Sequence, residues 1–193
     1  MAHEQPDAPG VPVVIRRLVT GHGPDGSSQL ALQSEPPRTD EFKHIPGMVS
    51  RLVWATSAEA ALPFDGADPT PRVASMVPAP GETRFIVATF PPDSVFAAEG
   101  FDPEAAVREN LAINPGLAER FEPDGMHETP TVDYAIVLDG ELWLELDAGR
   151  STLLRRHDVV VQHGTRHAWR NKSARAATVA FVLMGARARD TGR

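Results

Sequence analysis

Apolar and polar positions alternate over short stretches of this chain and seldom keep a helical period. Residues 11–21 (VPVVIRRLVTG) are apolar and β-branched, and residues 28–34 (SQLALQS) alternate. The polar turn at 22–26 between them predicts a β-hairpin. Residues 50–56 (SRLVWAT) and 82–90 (ETRFIVATF) read as a third and a fourth strand, the latter ended by Pro91-Pro92. The stretches 36–46 and 61–71 are rich in proline and read as loops. Strand signals are denser in the second half, over 134–138, 141–146, 151–154, 158–162, 167–170 and 177–184. Within 141–146, Leu142, Leu144 and Leu146 fall on one face while Glu141, Trp143 and Glu145 fall on the other. That period of two marks a sheet with one buried side.

One segment carries a helix signature. Asp102-Pro103-Glu104 supplies an N-cap, a proline at the first helical position and an acid in the first turn, and Asn114-Pro115 stops the run. The helix is expected over 104–112, with Phe101, Val107 and Leu111 as its buried stripe, packed across the outside of a sheet. Short strands without intervening helices predict an all-β sandwich or barrel rather than a parallel α/β sheet. With no repeat between the halves, one domain is expected. It comprises a loose tail (1–10), N-terminal strands and the helix flanking the barrel (11–120), the barrel core (121–186) and a short basic tail (187–193).

Composition changes this picture little. The 193 residues suffice for one buried core, and the 18 prolines and 15 glycines suit many turns. A net charge of −7 without a basic run argues against a nucleic-acid partner. No apolar stretch approaches the roughly 18 residues of a membrane span. The polar start lacks the order of a signal peptide, so a cytoplasmic location is expected. The absence of cysteine removes thiolate chemistry and cysteine metal sites.

Two blocks carry candidate chemistry. The first runs from Gly125 through His127, Thr129 and Asp133-Tyr134 to Gly140; the second runs from Asp158 through Gln162-His163-Gly164 to His167, Trp169 and Asn171. Residues two apart on an extended chain share a face. His127 therefore pairs with Thr129, and His167 with Trp169 and Asn171. If those faces line a barrel, they form a pocket of two imidazoles, a carboxylate, an indole and an amide. Tyr134 follows Asp133 and points inward only if a bulge turns it. His3, His22, His44 and His157 fall in turns or loops, and His163 is expected to face solvent.

The spacing of the two blocks resembles the paired motifs of the cupin superfamily. His127 matches the first histidine of that pattern, Asp133 its glutamate and Gly140 its closing glycine. Asp158, Gly164, His167 and Asn171 match the second block. The chain resembles a branch of small bacterial and fungal cupins with His-x-Thr and Val-Asp-Tyr in the first block. It departs from the usual motif at Thr129 (for histidine), Asp133 (for glutamate), His157 (for glycine) and Gln162 (for proline). The resemblance implies a jelly-roll barrel with an N-terminal β extension and one short helix. It also implies a divalent metal held by His127, Asp133 and His167, with Fe, Mn, Zn and Ni not distinguished. No organic cofactor is expected. The alternative is a metal-free pocket in which Asp133 and Thr129 satisfy the two histidines by hydrogen bonds.

Three functions follow. The first and favoured one is a non-oxidative enzyme of a small organic molecule, a lyase, decarboxylase, dehydratase, isomerase or cyclase. In it Asp133 and His167 move protons, and Thr129, Tyr134, Gln162, Trp169 and Asn171 contact the substrate. The second is an Fe(II) dioxygenase using His127, Asp133 and His167 as a facial triad. The third is a metal-free binding module. A homodimer is expected, with residues 11–21 and 28–34 as the open sheet edge that pairing between subunits covers.

Overall fold

The structure, a computed structural model, describes residues 14–187. The tail expected over 1–10, the first three residues of the segment 11–21, and residues 188–193 of the C-terminal tail lie outside them. The chain is mostly β with one α-helix, as the resemblance implies. Its order is β1 (Arg17–His22), β2 (Ser28–Ser34), β3 (Arg38–Glu41), β4 (Val49–Thr56), β5 (Thr83–Phe90), α1 (Pro103–Ile113), β6 (Thr131–Asp139), β7 (Glu141–Leu146), β8 (Ser151–Arg155), β9 (Val159–His163), β10 (His167–Arg170) and β11 (Ala177–Gly185).

Three antiparallel sheets result. β1 and β2 form the expected hairpin, but it stands as a two-stranded sheet of its own. A three-stranded sheet has the order β10-β7-β8, and a six-stranded sheet the order β3-β4-β5-β11-β6-β9. The large sheet runs across the division expected at residue 120. β4 and β5 are interior strands of the large sheet, reached through β11, so the N-terminal half builds the barrel rather than flanking it. β3 lies within the stretch 36–46 that reads as loop. Its sequence, RTDE, has no apolar alternation to betray it, and its pairing is set by β4, where Arg38 meets Leu52.

The two larger sheets close on each other through their inner faces. Ala135 and Val137 of β6, Leu142 of β7, Leu154 of β8 and Ala177 and Val179 of β11 form one buried cluster. Alternation along β6 therefore sends Thr131, Asp133, Ala135 and Val137 inward while Tyr134, Ile136 and Leu138 stay exposed on the outer face. Toward β4 and β5 the inner face is closed by loops instead of strands: Met76 packs with Leu52, Ile86 and Leu183, with Leu117 against them.

The helix forms where its capping signals place it, with the Asp102 carboxylate accepting from the Ala105 amide at 2.9 Å. Its expected stripe is corrected. Val107 is 59% and Leu111 38% exposed, while Ala105 and Ala106 are buried. Polar ties set that orientation. Glu109 accepts from the Lys43 and His44 amides at 2.8 Å each, and Arg38 donates to the Ile113 carbonyl at 3.2 Å. Among the described residues no helix is long and apolar enough to cross a membrane.

Gly140 turns β6 into β7 at φ +73°, and a Cβ there would lie 2.7 Å from the Ala176 carbonyl oxygen. Gly140→Ala is expected to destabilise the chain by at least the ~1–2 kcal/mol of left-handed backbone strain. Leu142→Ala, at a fully buried position, is expected to cost about 2–5 kcal/mol. Urea unfolding monitored by Trp fluorescence measures both.

Candidate functional site

His127 and His167 are brought together by backbone before side chains. Each amide donates to the other's carbonyl at 2.9 Å, an isolated antiparallel bridge that sets the rings side by side. Their centroids are 4.4 Å apart. Phe121 stacks on the far side of His127 at 4.2 Å. Trp169, two residues along β10, meets His167 edge-on at 5.9 Å and Phe181 of β11 at 5.3 Å. The imidazoles thus sit in a row of aromatic rings running from the mouth of the barrel into its core.

Backbone carbonyls fix both rings. Nδ1 of His167 lies 2.9 Å from the Thr165 carbonyl, and Nδ1 of His127 lies 3.4 Å from that of Gly125. A carbonyl only accepts, so each Nδ1 carries the proton and each Nε2 presents its lone pair. No described residue hydrogen-bonds either Nε2. Burial lowers the basicity of both. His127 is brought down to about 4, first by desolvation and then by the like charge of His167 and Arg170. His167 is lowered by desolvation, opposed by its bond to Thr165. Both rings are neutral at pH 7.

Asp133 projects from β6 into the same interior, on the face that Ala135 and Val137 share, and that face meets the Trp169 face of β10. Its Oδ1 is buried without a hydrogen-bond partner. Burial pushes the carboxyl up to about 6, against a bond from the Thr131 hydroxyl that lowers it. The Thr129 and Thr131 hydroxyls are hydrogen-bonded to each other at 2.7 Å. Gly164 closes the neighbouring turn at φ +58°, where a Cβ would come within 3.0 Å of the Thr129 carbonyl.

The remaining expected site residues divide. Gln162 lies opposite Asp133 on β9 and is buried, but its amide donates to the Thr165 carbonyl at 2.9 Å and hydroxyl at 2.6 Å. Tyr134 is corrected: no bulge redirects it, and it lies 46% exposed on the outer face, away from the pocket. Asn171 is also corrected. Its Nδ2 donates to the Phe90 and Arg175 carbonyls and its Oδ1 accepts from Ser173, so the side chain locks the turn before β11 and has no capacity left for a substrate. His22, His44, His157 and His163 are exposed. His157, standing where the motif has glycine, takes φ +76°.

The side chains expected as a metal set are His127, Asp133 and His167. Among the described residues, no group of three His, Cys, Asp or Glu side chains is placed to hold a metal ion. The reason is positional. The two imidazoles are paired through the 127–167 bridge, whereas the short Asp133 side chain stays on β6 beside Thr131. Thr129, whose hydroxyl is engaged by Thr131, does not replace the missing donor. The residues present do not fit a three-donor centre.

Several participants had no signal in the motif. Arg166, next to His167 but pointing outward, bonds Glu122 at 2.6 Å and Asp147 at 2.9 Å. Arg170 reaches Glu145 at 2.9 Å and the Asp124 carbonyl at 2.6 Å. Together they clamp the 122–127 segment that carries His127 onto the β7–β10 edge. Each is one odd step from an inward residue, which is how alternation could have flagged them.

The two packed sheets form a β-barrel with a histidine pair directed inward. No family model matches the chain. It is similar to the phomopsin biosynthesis cluster protein D of Diaporthe leptostromiformis, 51% identical over 45% of this chain and 44% of that protein. It is similar to the oryzines biosynthesis cluster protein J of Aspergillus oryzae, 42% identical over 41% of this chain and 44% of that one. It also resembles the cupin-domain-containing oxidoreductase virC of Hypocrea virens, 46% identical over 24% of each. The chain thus spans less than half the length of these relatives. A solved cupin 2 conserved barrel domain protein of Salinispora arenicola aligns with 72% of this chain and 76% of its own, at 13% identity and a TM-score of 0.38.

The opposed shifts give a pH test. Asp133 is raised on folding, so its contribution is full below the unfolded pKa near 3.8 and is lost as pH rises through about 6. His127 is depressed, so its contribution is present above 6.5 and is lost as pH falls toward 4. Asp133→Asn is expected to stabilise the chain by up to about 3 kcal/mol at pH 7.5, and by little at pH 4. Urea midpoints across pH 4–8 decide it; a gain equal at both ends would sink the assignment.

Proposed function

We propose that the barrel interior is the active site of a small-molecule enzyme that works by proton transfer without oxidation, in the manner of a lyase or isomerase. The observation that carries the reading is the pairing of two opposite kinds of titratable group in one interior. Asp133 is a buried carboxyl with an unpartnered oxygen and an affinity for protons raised toward neutrality. His167 is a neutral imidazole whose Nε2 lone pair is open. A site that holds an acid-competent carboxyl beside base-competent imidazoles has the makings of general acid–base catalysis.

In this reading Nε2 of His167 accepts a proton from the substrate, and the Thr165 carbonyl holds the ring in the required tautomer. The protonated fraction of Asp133 donates at the oxygen where charge develops, with the hydrogen-bonded Thr129–Thr131 pair next to it in the chain. Trp169 and Phe181 form an apolar wall that excludes water and receives the flat or apolar part of the substrate. His127, stacked between Phe121 and His167, positions the second ring. The relatedness to proteins of fungal biosynthesis clusters supports a biosynthetic intermediate as substrate rather than a polymer.

A second reading, an oxidoreductase, is favoured by the description of the relative from Hypocrea virens. Dioxygen separates the two. A panel of enolisable carbonyl compounds and β-keto acids incubated with the protein in D2O, under argon and under air, is read by mass spectrometry. Solvent deuterium or product appearing equally under argon is expected, with a loss of about 10²–10⁴-fold in His167→Ala and Asp133→Asn. Conversion strictly coupled to dioxygen consumption would overturn the non-oxidative reading in favour of the oxidoreductase.

A further inference from the structure

The barrel interior offers more hydrogen-bond acceptors than donors. Nε2 of His127 and Nε2 of His167 each present a lone pair, and Oδ1 of Asp133 is buried without a partner. Each of these three side chains is more than nine-tenths buried. The donors beside them are spent within the protein. The Gln162 amide donates to the Thr165 carbonyl and hydroxyl, and the Thr129 and Thr131 hydroxyls bond each other. The indole N–H of Trp169 on β10 remains as a donor. A ligand that satisfies this interior must therefore bring hydrogens of its own.

Charge narrows the choice. The inward rows of β6, β7, β9 and β10 carry no lysine or arginine. Arg84, which shares the inward row of Leu183, is taken up by the Glu82 carboxylate at 2.8 Å and the Ser75 carbonyl at 3.0 Å. Arg170, whose charge reaches His127, is drawn to Glu145 at 2.9 Å. The imidazoles are neutral at pH 7, and Asp133 is ionised above about 6. A carboxylate or phosphate on the ligand would thus meet the Asp133 charge with no counter-charge to hold it. The rings of Phe121, His127, His167 and Trp169 follow one another at 4.2, 4.4 and 5.9 Å, a row that suits a flat conjugated molecule.

We propose that the substrate is an uncharged, flat hydroxy compound, a polyhydric phenol or the enol of a conjugated ketone, whose hydroxyls donate to Nε2 of His127 and of His167. The inference rests on the reading of this interior as a small-molecule site and adds the chemical class of the molecule. Two lone pairs held side by side by the 127–167 backbone bridge match two neighbouring hydroxyls. His127 is then a binding residue in its own right and not only a support for the second ring.

Catechol, veratrole and protocatechuate share one ring and differ in donors and charge, and their binding to the wild-type chain at pH 7.5 is measured by nuclear magnetic resonance. Catechol is expected to bind about tenfold more tightly than veratrole, which has no donor, and than protocatechuate, which adds a carboxylate. It is also expected to shift the Nε2 resonances of His127 and His167. His127→Phe and His167→Phe, which keep a ring, are each expected to weaken catechol about tenfold and to leave veratrole unchanged. Asp133→Asn is expected to close the gap between catechol and protocatechuate. Equal binding of the three, tighter binding of protocatechuate, catechol binding that leaves both Nε2 resonances unmoved, or no catechol binding at millimolar concentration would overturn the class. The deuterium-exchange experiment fails separately. Catechol selectivity without exchange on any compound would remove the proton-transfer reading and keep the class, whereas exchange confined to anionic β-keto acids would remove the class and keep that reading.

Discussion

β11 is hydrogen-bonded on both sides, to β5 through eight register pairs and to β6 through eight more. It is the last strand among the described residues, and it joins the N-terminal strands to the C-terminal ones in one sheet. Its inner side chains, Ala177, Val179 and Leu183, contribute to both principal buried clusters. On its outer face Ala180 packs with Val53 and Val87. Without it β3–β5 would have no route to the barrel, and the inner face that carries Asp133 would lose a neighbour. The site and the outer surface therefore depend on one late, long-range pairing whose loop-closure entropy must be met before its contacts form.

The interior built in this way treats acid and base in opposite directions. Removal from water raises Asp133 and lowers His127 and His167, because in each case the charged form is the one penalised. Pairing charges would have cancelled much of this. Instead, the Nδ1 atoms of both rings are occupied by backbone carbonyls and Oδ1 of Asp133 has no hydrogen-bond partner, which leaves reactive atoms unengaged. The salt bridges lie outside: Arg166 and Arg170 tie the 122–127 segment at the rim, where water screens them and where their geometry, rather than their charge, positions His127.

Much of the C-terminal half was legible. The period of two over Glu141–Leu146, the glycine at 140 and the pair His167 and Trp169 all lie where local pattern put them, because a strand with one buried side must alternate. Other features left no local trace. β3 is polar throughout and is a strand because β4 offers it an edge. The helix presents alanines inward and leaves Val107 outside, since the ties from Glu109 and to Ile113 outweigh a small apolar stripe. Tyr134 and Asn171 stood close to site residues in sequence, yet one faces away and the other is spent on a turn.

The altered motif shows the same boundary. The residue order alone set Asp133 and His167 on strands next to turns, and the spacing of the two blocks led to the expectation that they share an interior with His127. It also determined that Thr129 would bring no imidazole. What the tertiary structure decided was how the three meet. A backbone bridge couples 127 to 167 across separate segments, while Asp133 remains on a strand of the other sheet beside Thr131. Distances between donors on different sheets depend on sheet packing and twist, and no local pattern of residues encodes those.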